Sequence, residues 1–146
     1  VVEVIAGGWD MHVDVDTGTA SKLPELDTAV ATLLKDLESR GLLDSTLVAI
    51  GTEFGRTPDI NMNSGRDHYP AAYSCVLAGG GVKGGTKYGE TDGSGKKVKS
   101  EPVKPEDFLA TIGYGLGLDL EETIYSPTQR PFTFADKGKA VEKLFG

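Results

Sequence analysis

Three segments at the head of the chain restrict its fold more than any other feature. They are residues 1–6 (VVEVIA), the series Leu23, Leu26, Val30, Leu33, Leu34 and Leu37, and residues 46–51 (TLVAIG). The first is β-branched and almost wholly apolar, the pattern of a strand covered on both faces. The second repeats at helical spacing, with Pro24 suited to a first turn and Gly41 to a C-terminal stop. Strand, helix and strand in that order predict a right-handed crossover and a parallel pair.

The polar stretch TEFGRTPDINMNSGRDHYP leads from the second strand to a third apolar run, residues 71–78 (AAYSCVLA). If that stretch stays on the carboxyl edge of the sheet, the third strand leaves from that edge and runs antiparallel. GGGVKGG reads as a flexible turn, and residues 86–103 as a hairpin turning near DGSG, its lysines protecting an edge. Pro105 opens a second helix with Phe108, Ile112 and Leu116 on one face, ending at Gly115 and Gly117. SPTQRPFTF reads as extended and DKGKAVEKLFG as a closing short helix. With 146 residues, of which 38% are hydrophobic, the expectation is a single α/β domain over residues 1–146. Its sheet is mostly parallel, with one antiparallel strand, and is flanked by helices.

A formal net charge of −7 argues against nucleic acid or an anionic membrane as partner, since both are polyanions that need a basic patch. No apolar stretch reaches the ~18 residues of a membrane span, and no signal peptide is visible. The single cysteine, Cys75, excludes an internal disulfide and lies in an apolar run, where inert packing is expected. The chain has no initiator methionine and starts inside a strand-like run, so it is expected to be the C-terminal part of a longer domain.

Open α/β sheets bind ligands beyond the carboxyl ends of their strands, and three polar clusters map to that edge. Asp10 and His12 follow the first strand, Glu53 and Arg56 follow the second, and Arg66, Asp67 and His68 precede the third. Residues i and i+2 of an extended segment point to one side, so Asp10 and His12 can address a single point. A carboxylate and an imidazole form a borderline donor set that suits zinc, manganese or iron better than calcium, the alternative being a capping aspartate and a hydrogen-bonded histidine. Both histidines of the protein, His12 and His68, fall in loops at the same edge, which strengthens the assignment. Glu53 reads as a ligand or base, or else as a salt-bridge partner of Arg56 or a helix cap. Arg56 and Arg66 read as a forked clamp on a phosphate or sulfate, or as groups orienting Glu53 and Asp67. Asp67 is either a ligand or the acceptor that fixes an imidazole. Trp9 reads as a packing wall ahead of a substrate platform, glycines 79–81 read as a turn rather than a phosphate loop, and Asp14 and Asp16 read as solvating their loop ahead of binding calcium.

GGWDMH, LLKDLESRGLLDSTLVAIGTEFGRTPDIN and GRDHYPAAYSCVLAGGGVKGGTKYGETD together resemble the C-terminal half of the bacterial family known as domain of unknown function 1501. EFGRTP and GRDH are its most specific signatures. That family is usually grouped with the alkaline phosphatase and sulfatase superfamily, whose members place an Asp and a His after one strand, an Asp-His pair after the next, and a further His before an apolar strand. WDMH is similar to the first motif, VAIGTEF to the second and RDHYPAAYSCVLAGGG to the third. The resemblance implies a metal at Asp10, His12 and His68, with Glu53 and Asp67 as further ligands and Glu53 and Arg56 as catalytic groups. It also implies Arg56 and Arg66 binding a small anionic ester substrate. Two departures stand out: Asp10 and His12 are closer in sequence than in the superfamily's phosphatases, and Phe54 stands where a histidine is expected. The resemblance further implies export to the periplasm or beyond. The nucleophile is expected in an N-terminal half that acts as this segment's partner, so the segment alone is expected to show no turnover. The competing expectation is a non-catalytic relative that keeps the fold as a binding or structural module.

Overall fold

The structure is a computed structural model that describes residues 1–146. Its elements are helix α1 (Val15–Ser39), strands β1 (Val48–Ile50), β2 (Gly55–Arg56), β3 (His68–Tyr69), β4 (Val76–Ala78), β5 (Glu90–Thr91) and β6 (Val98–Ser100), helix α2 (Pro105–Gly115), and strands β7 (Thr123–Tyr125) and β8 (Pro131–Thr133). Short 3₁₀ turns cover Leu43–Ser45, Phe134–Lys137 and Glu142–Leu144.

The expected mostly parallel sheet is not formed. The strands make four separate two-stranded antiparallel ladders, β1 with β4, β2 with β3, β5 with β6 and β7 with β8. Residues 1–6 belong to no ladder, and Val1, Val2, Val4 and Ile5 lie exposed. A ladder needs a second backbone alongside, and β1 has one on a single edge only, where β4 sets Val48 opposite Ala78 and Ile50 opposite Val76. The antiparallel sense expected between the second and third apolar runs is present in that pair. The parallel partner is not.

Helix α1 begins eight residues before Leu23, so Pro24 lies inside it rather than in its first turn. Its start is set by Asp14, whose carboxylate accepts the Thr17 N–H at 3.5 Å, and by a bridge between Val13 and Ser64 that fixes the entering chain. Pro24 removes one ladder donor without ending the helix. The stop falls at Gly41 as expected. Its φ of 66° lets the Gly41 and Leu42 N–H groups turn back onto the carbonyls of Glu38 and Leu37 at 2.9 and 2.8 Å.

Helix α2 supplies the main packing. Ala110, Thr111 and Gly113 are three of only four buried residues, Gly65 being the fourth. Phe134 and Leu120 lie over Gly113, and Phe145 lies over Gly115. The buried Thr111 hydroxyl donates to the Asp107 carbonyl and accepts the Val141 N–H, tying the C-terminal tail to the helix. The hairpin at DGSG forms as expected, with Asp92 Oδ1 accepting the Ser94 and Lys96 N–H groups. Of SPTQRPFTF, expected to be extended, Pro131–Thr133 forms strand β8, while residues 126–130 turn between β7 and β8 with Gln129 at φ 61°. No helix is long and apolar enough to cross a membrane.

Candidate metal centre

The site is assembled from two polar segments that fold onto each other. Pairing of β2 with β3 places Arg56 directly opposite His68, and the connecting residues 57–67 curl back over residues 11–15. The Arg66 N–H donates to the Met11 carbonyl at 3.1 Å, and the Asp14 and Val15 N–H groups donate to Asn63 and Ser64 carbonyls at 3.0 and 2.9 Å. Gly65 is buried at this crossing, where a Cβ would collide with the His12 carbonyl group. Glycine is therefore what lets the two backbones approach.

These contacts bring Asp10, His12 and His68 together, with ligand atoms all within 4.8 Å of one another. Asp10 Oδ1 lies 2.8 Å from His68 Nε2 and 3.1 Å from His12 Nε2, and the two Nε2 atoms are 3.1 Å apart. With metal–ligand bonds of ~2.1 Å, neighbouring donors are ~3.0 Å apart around an octahedral ion and ~3.4 Å apart around a tetrahedral one. The observed triangle matches one face of an octahedron, the arrangement of a two-histidine, one-carboxylate set. All three side chains are open to solvent, with Asp10 66% exposed. A cleft of about 650 Å³ bounded by Tyr73, Leu77, Tyr88, Phe108 and Leu144 lies elsewhere and includes none of the three.

The surroundings orient each donor. His12 Nδ1 lies 2.8 Å from Asp67 Oδ1, so Asp67 acts on the back of the imidazole rather than joining the triangle. The His68 ring is flanked by Phe54 and His12, at centroid distances of 4.2 and 4.7 Å. Phe54 cannot bind a metal, and here it is a wall for a residue that can. Arg56 donates to Asp10 Oδ1 at 2.6 Å and to the Trp9 and Arg66 carbonyls at 3.2 and 3.1 Å. Its guanidinium, foremost, and the His68 imidazole hold the Asp10 carboxyl down at about 2. Asp67 is likewise held below the usual carboxylate range, first by His12 and then by Asn61.

Of the remaining expected site residues, Arg66 donates to the Thr57 carbonyl at 2.6 Å and to that of Pro58, bracing the loop from within. Glu53 is exposed and outside the triangle, and Arg56 pairs with Asp10 instead. Asp14, expected only to solvate its loop, caps α1. Burial pushes the Cys75 thiol up. Asn61 was not singled out by sequence. It lies in a run of turn-forming residues, and its contact with the His12 carbonyl depends on the loop closing over residues 11–13.

No curated protein and no solved structure matches the chain. A family model does, that of the protein of unknown function DUF1501, over residues 1–145. With nearly every residue covered, the chain belongs to the DUF1501 family.

Proposed function

We propose that Asp10, His12 and His68 bind a divalent metal and that the protein is the C-terminal part of a metal-dependent hydrolase-like protein acting on phosphate or sulfate esters. The observation that carries this reading is the donor triangle with sides of 2.8, 3.1 and 3.1 Å. Held by these three side chains, an ion would supply Lewis acidity toward an ester oxygen and would lower the pKa of a water molecule. Asp10 is ionised throughout the physiological range, so its oxygen needs no deprotonation before it can act as a ligand. His12 is oriented by Asp67, and His68 is steadied against Phe54. The order of the three motifs along the chain supports placement in the alkaline phosphatase and sulfatase superfamily, and with it export from the cytoplasm.

A second reading has its own support. Arg56 already neutralises Asp10 at 2.6 Å, so the cluster is satisfied as an ion-free network that ties residues 9–12 to the β2–β3 ladder. That would suit a non-catalytic binding or structural relative. Elemental analysis of the protein dialysed against zinc or manganese separates the two. The metal reading expects one ion bound in wild type and loss of that ion in His68→Ala. Wild-type protein that retains no metal and shows no thermal shift with either ion establishes the network reading. A panel of phosphate and sulfate monoesters then tests turnover in whichever form holds metal.

A further inference from the structure

Asn61 uses both ends of its side-chain amide. Its Oδ1 accepts the N–H groups of Asn63 and Gly65, each at 2.9 Å, which closes the loop over residues 11–13. Its Nδ2 donates to the His12 carbonyl and to Asp67 Oδ1, each at 3.0 Å. The orientation of the amide is unambiguous: flipping it would set two donors against two N–H groups and an oxygen against two acceptors. Asp67 is also held through its backbone, since its N–H donates to the Thr57 hydroxyl at 3.1 Å and its carbonyl accepts the Thr57 N–H at 2.9 Å.

We infer that Asn61 is a positioning residue: through Asp67 it fixes His12 as the tautomer protonated on Nδ1, leaving the Nε2 lone pair facing the point shared with Asp10 and His68. The proposal rests on the metal-site reading for its purpose and on the hydrogen bonds alone for its geometry. An ionised Asp67 offers no proton, so the 2.8 Å contact with His12 Nδ1 requires the hydrogen on the imidazole. Asn61 adds a second donor to the same oxygen and anchors the His12 backbone, so side chain and main chain of His12 are held by one residue. A carboxylate behind a ligating imidazole sets its tautomer and raises its basicity, and loss of such support weakens metal binding ~10- to 100-fold.

The two ends of the amide can be tested apart. Asn61→Asp keeps an oxygen for the Asn63 and Gly65 N–H groups but faces Asp67 with a second carboxylate. Side-chain ¹⁵N spectra of the metal-free protein at about pH 9, where imidazoles are ordinarily neutral, should show wild-type His12 protonated on Nδ1. In the variant, where like-charge repulsion moves the Asp67 carboxylate off Nδ1, the proton population should shift to Nε2, with cobalt(II) affinity reduced ~10- to 100-fold and the backbone amide spectrum outside residues 11–13 and 57–67 unchanged. A wild-type His12 protonated on Nε2 overturns the inference, whether or not the variant folds. So does a folded variant with an unmoved tautomer and wild-type cobalt affinity. If wild type shows the Nδ1 tautomer and the variant shifts it, yet neither binds cobalt, the metal reading fails while the positioning role stands.

Discussion

Asp10 Oδ1 is the most contested atom of the site, approached by the Arg56 guanidinium and by both imidazoles. Arg56 makes the largest contribution to its lowered pKa, so Arg56→Ala should raise the Asp10 midpoint from about 2 toward the ordinary ~3.9. Carboxyl ¹³C titration reads this directly, and an unmoved midpoint would show that the pair is not made in solution. The sign for stability follows from the lowered folded-state value. The contact contributes fully above the unfolded carboxyl pKa and is lost as pH falls through about 2, so wild type should hold its β2–β3 ladder to more acid pH than the variant. At this scale the sequence was informative where the chemistry was local. Asp10 and His12 lie two apart on one side of the chain, and the only other histidine completes the triangle. The contacts of Arg56 with Asp10 and of Asn61 with His12 span 46 and 49 residues of sequence, and no local pattern in EFGRTP or DINMNSG names those partners.

Elements with their own punctuation were legible. Gly41 ends α1, Pro105 opens α2, and DGSG turns a hairpin, because each depends on backbone preferences carried by the residues themselves. The start of α1 was not, since it depends on the bridge from Val13 to Ser64. Two glycines test the local and the long-range case. Gly41 has a φ of 66° and open space around its Cβ position, so Gly41→Ala should cost about 1–2 kcal/mol of strain and leave the proposed metal site intact. Gly65 is free of that strain but would drive a Cβ into the His12 backbone. Gly65→Ala should cost about 1–3 kcal/mol, as overpacking does, and should also displace His12 and abolish metal binding. Urea melts paired with metal titrations distinguish them: equal metal affinity in the two variants would show that the loop over residues 57–67 does not support the site. A third element-scale test concerns Asp107, which accepts the Lys139 N–H at 2.7 Å and the Lys104 N–H at 3.1 Å. Its carboxyl is lowered, first by Lys139 and also by Lys104. Asp107→Ala should cost about 1 kcal/mol at neutral pH, and the difference from wild type should vanish in acid as the carboxyl protonates.

Over the whole molecule, the surface is 10477 Å², against about 7,200 Å² expected for a folded protein of this mass. Four residues are buried, and large apolar side chains along residues 1–5 and on both helices face solvent. The apolar pattern of VVEVIA encodes a preference for cover on both faces, but it cannot specify which backbone provides the ladder. This is why only the helix and the second strand of the expected strand–helix–strand unit are formed, while the first strand and the parallel pair it implied are absent. A consequence can be measured in this chain. Ile5 is 84% exposed and Val4 86% exposed, so Ile5→Asp or Val4→Asp should change stability by no more than about 0.5 kcal/mol, the range of ordinary surface substitutions. Phe134, which lies over Gly113 of α2, provides the contrast: Phe134→Ala should cost several-fold more, up to the ~3–5 kcal/mol of a core aromatic. If the carboxylate at position 5 instead proves as damaging as the loss of Phe134, residues 1–6 are buried in solution and the exposed arrangement is wrong. If it is silent, the stability of this chain resides in α2 and the tail packed on it, and the apolar N-terminal run contributes nothing to it.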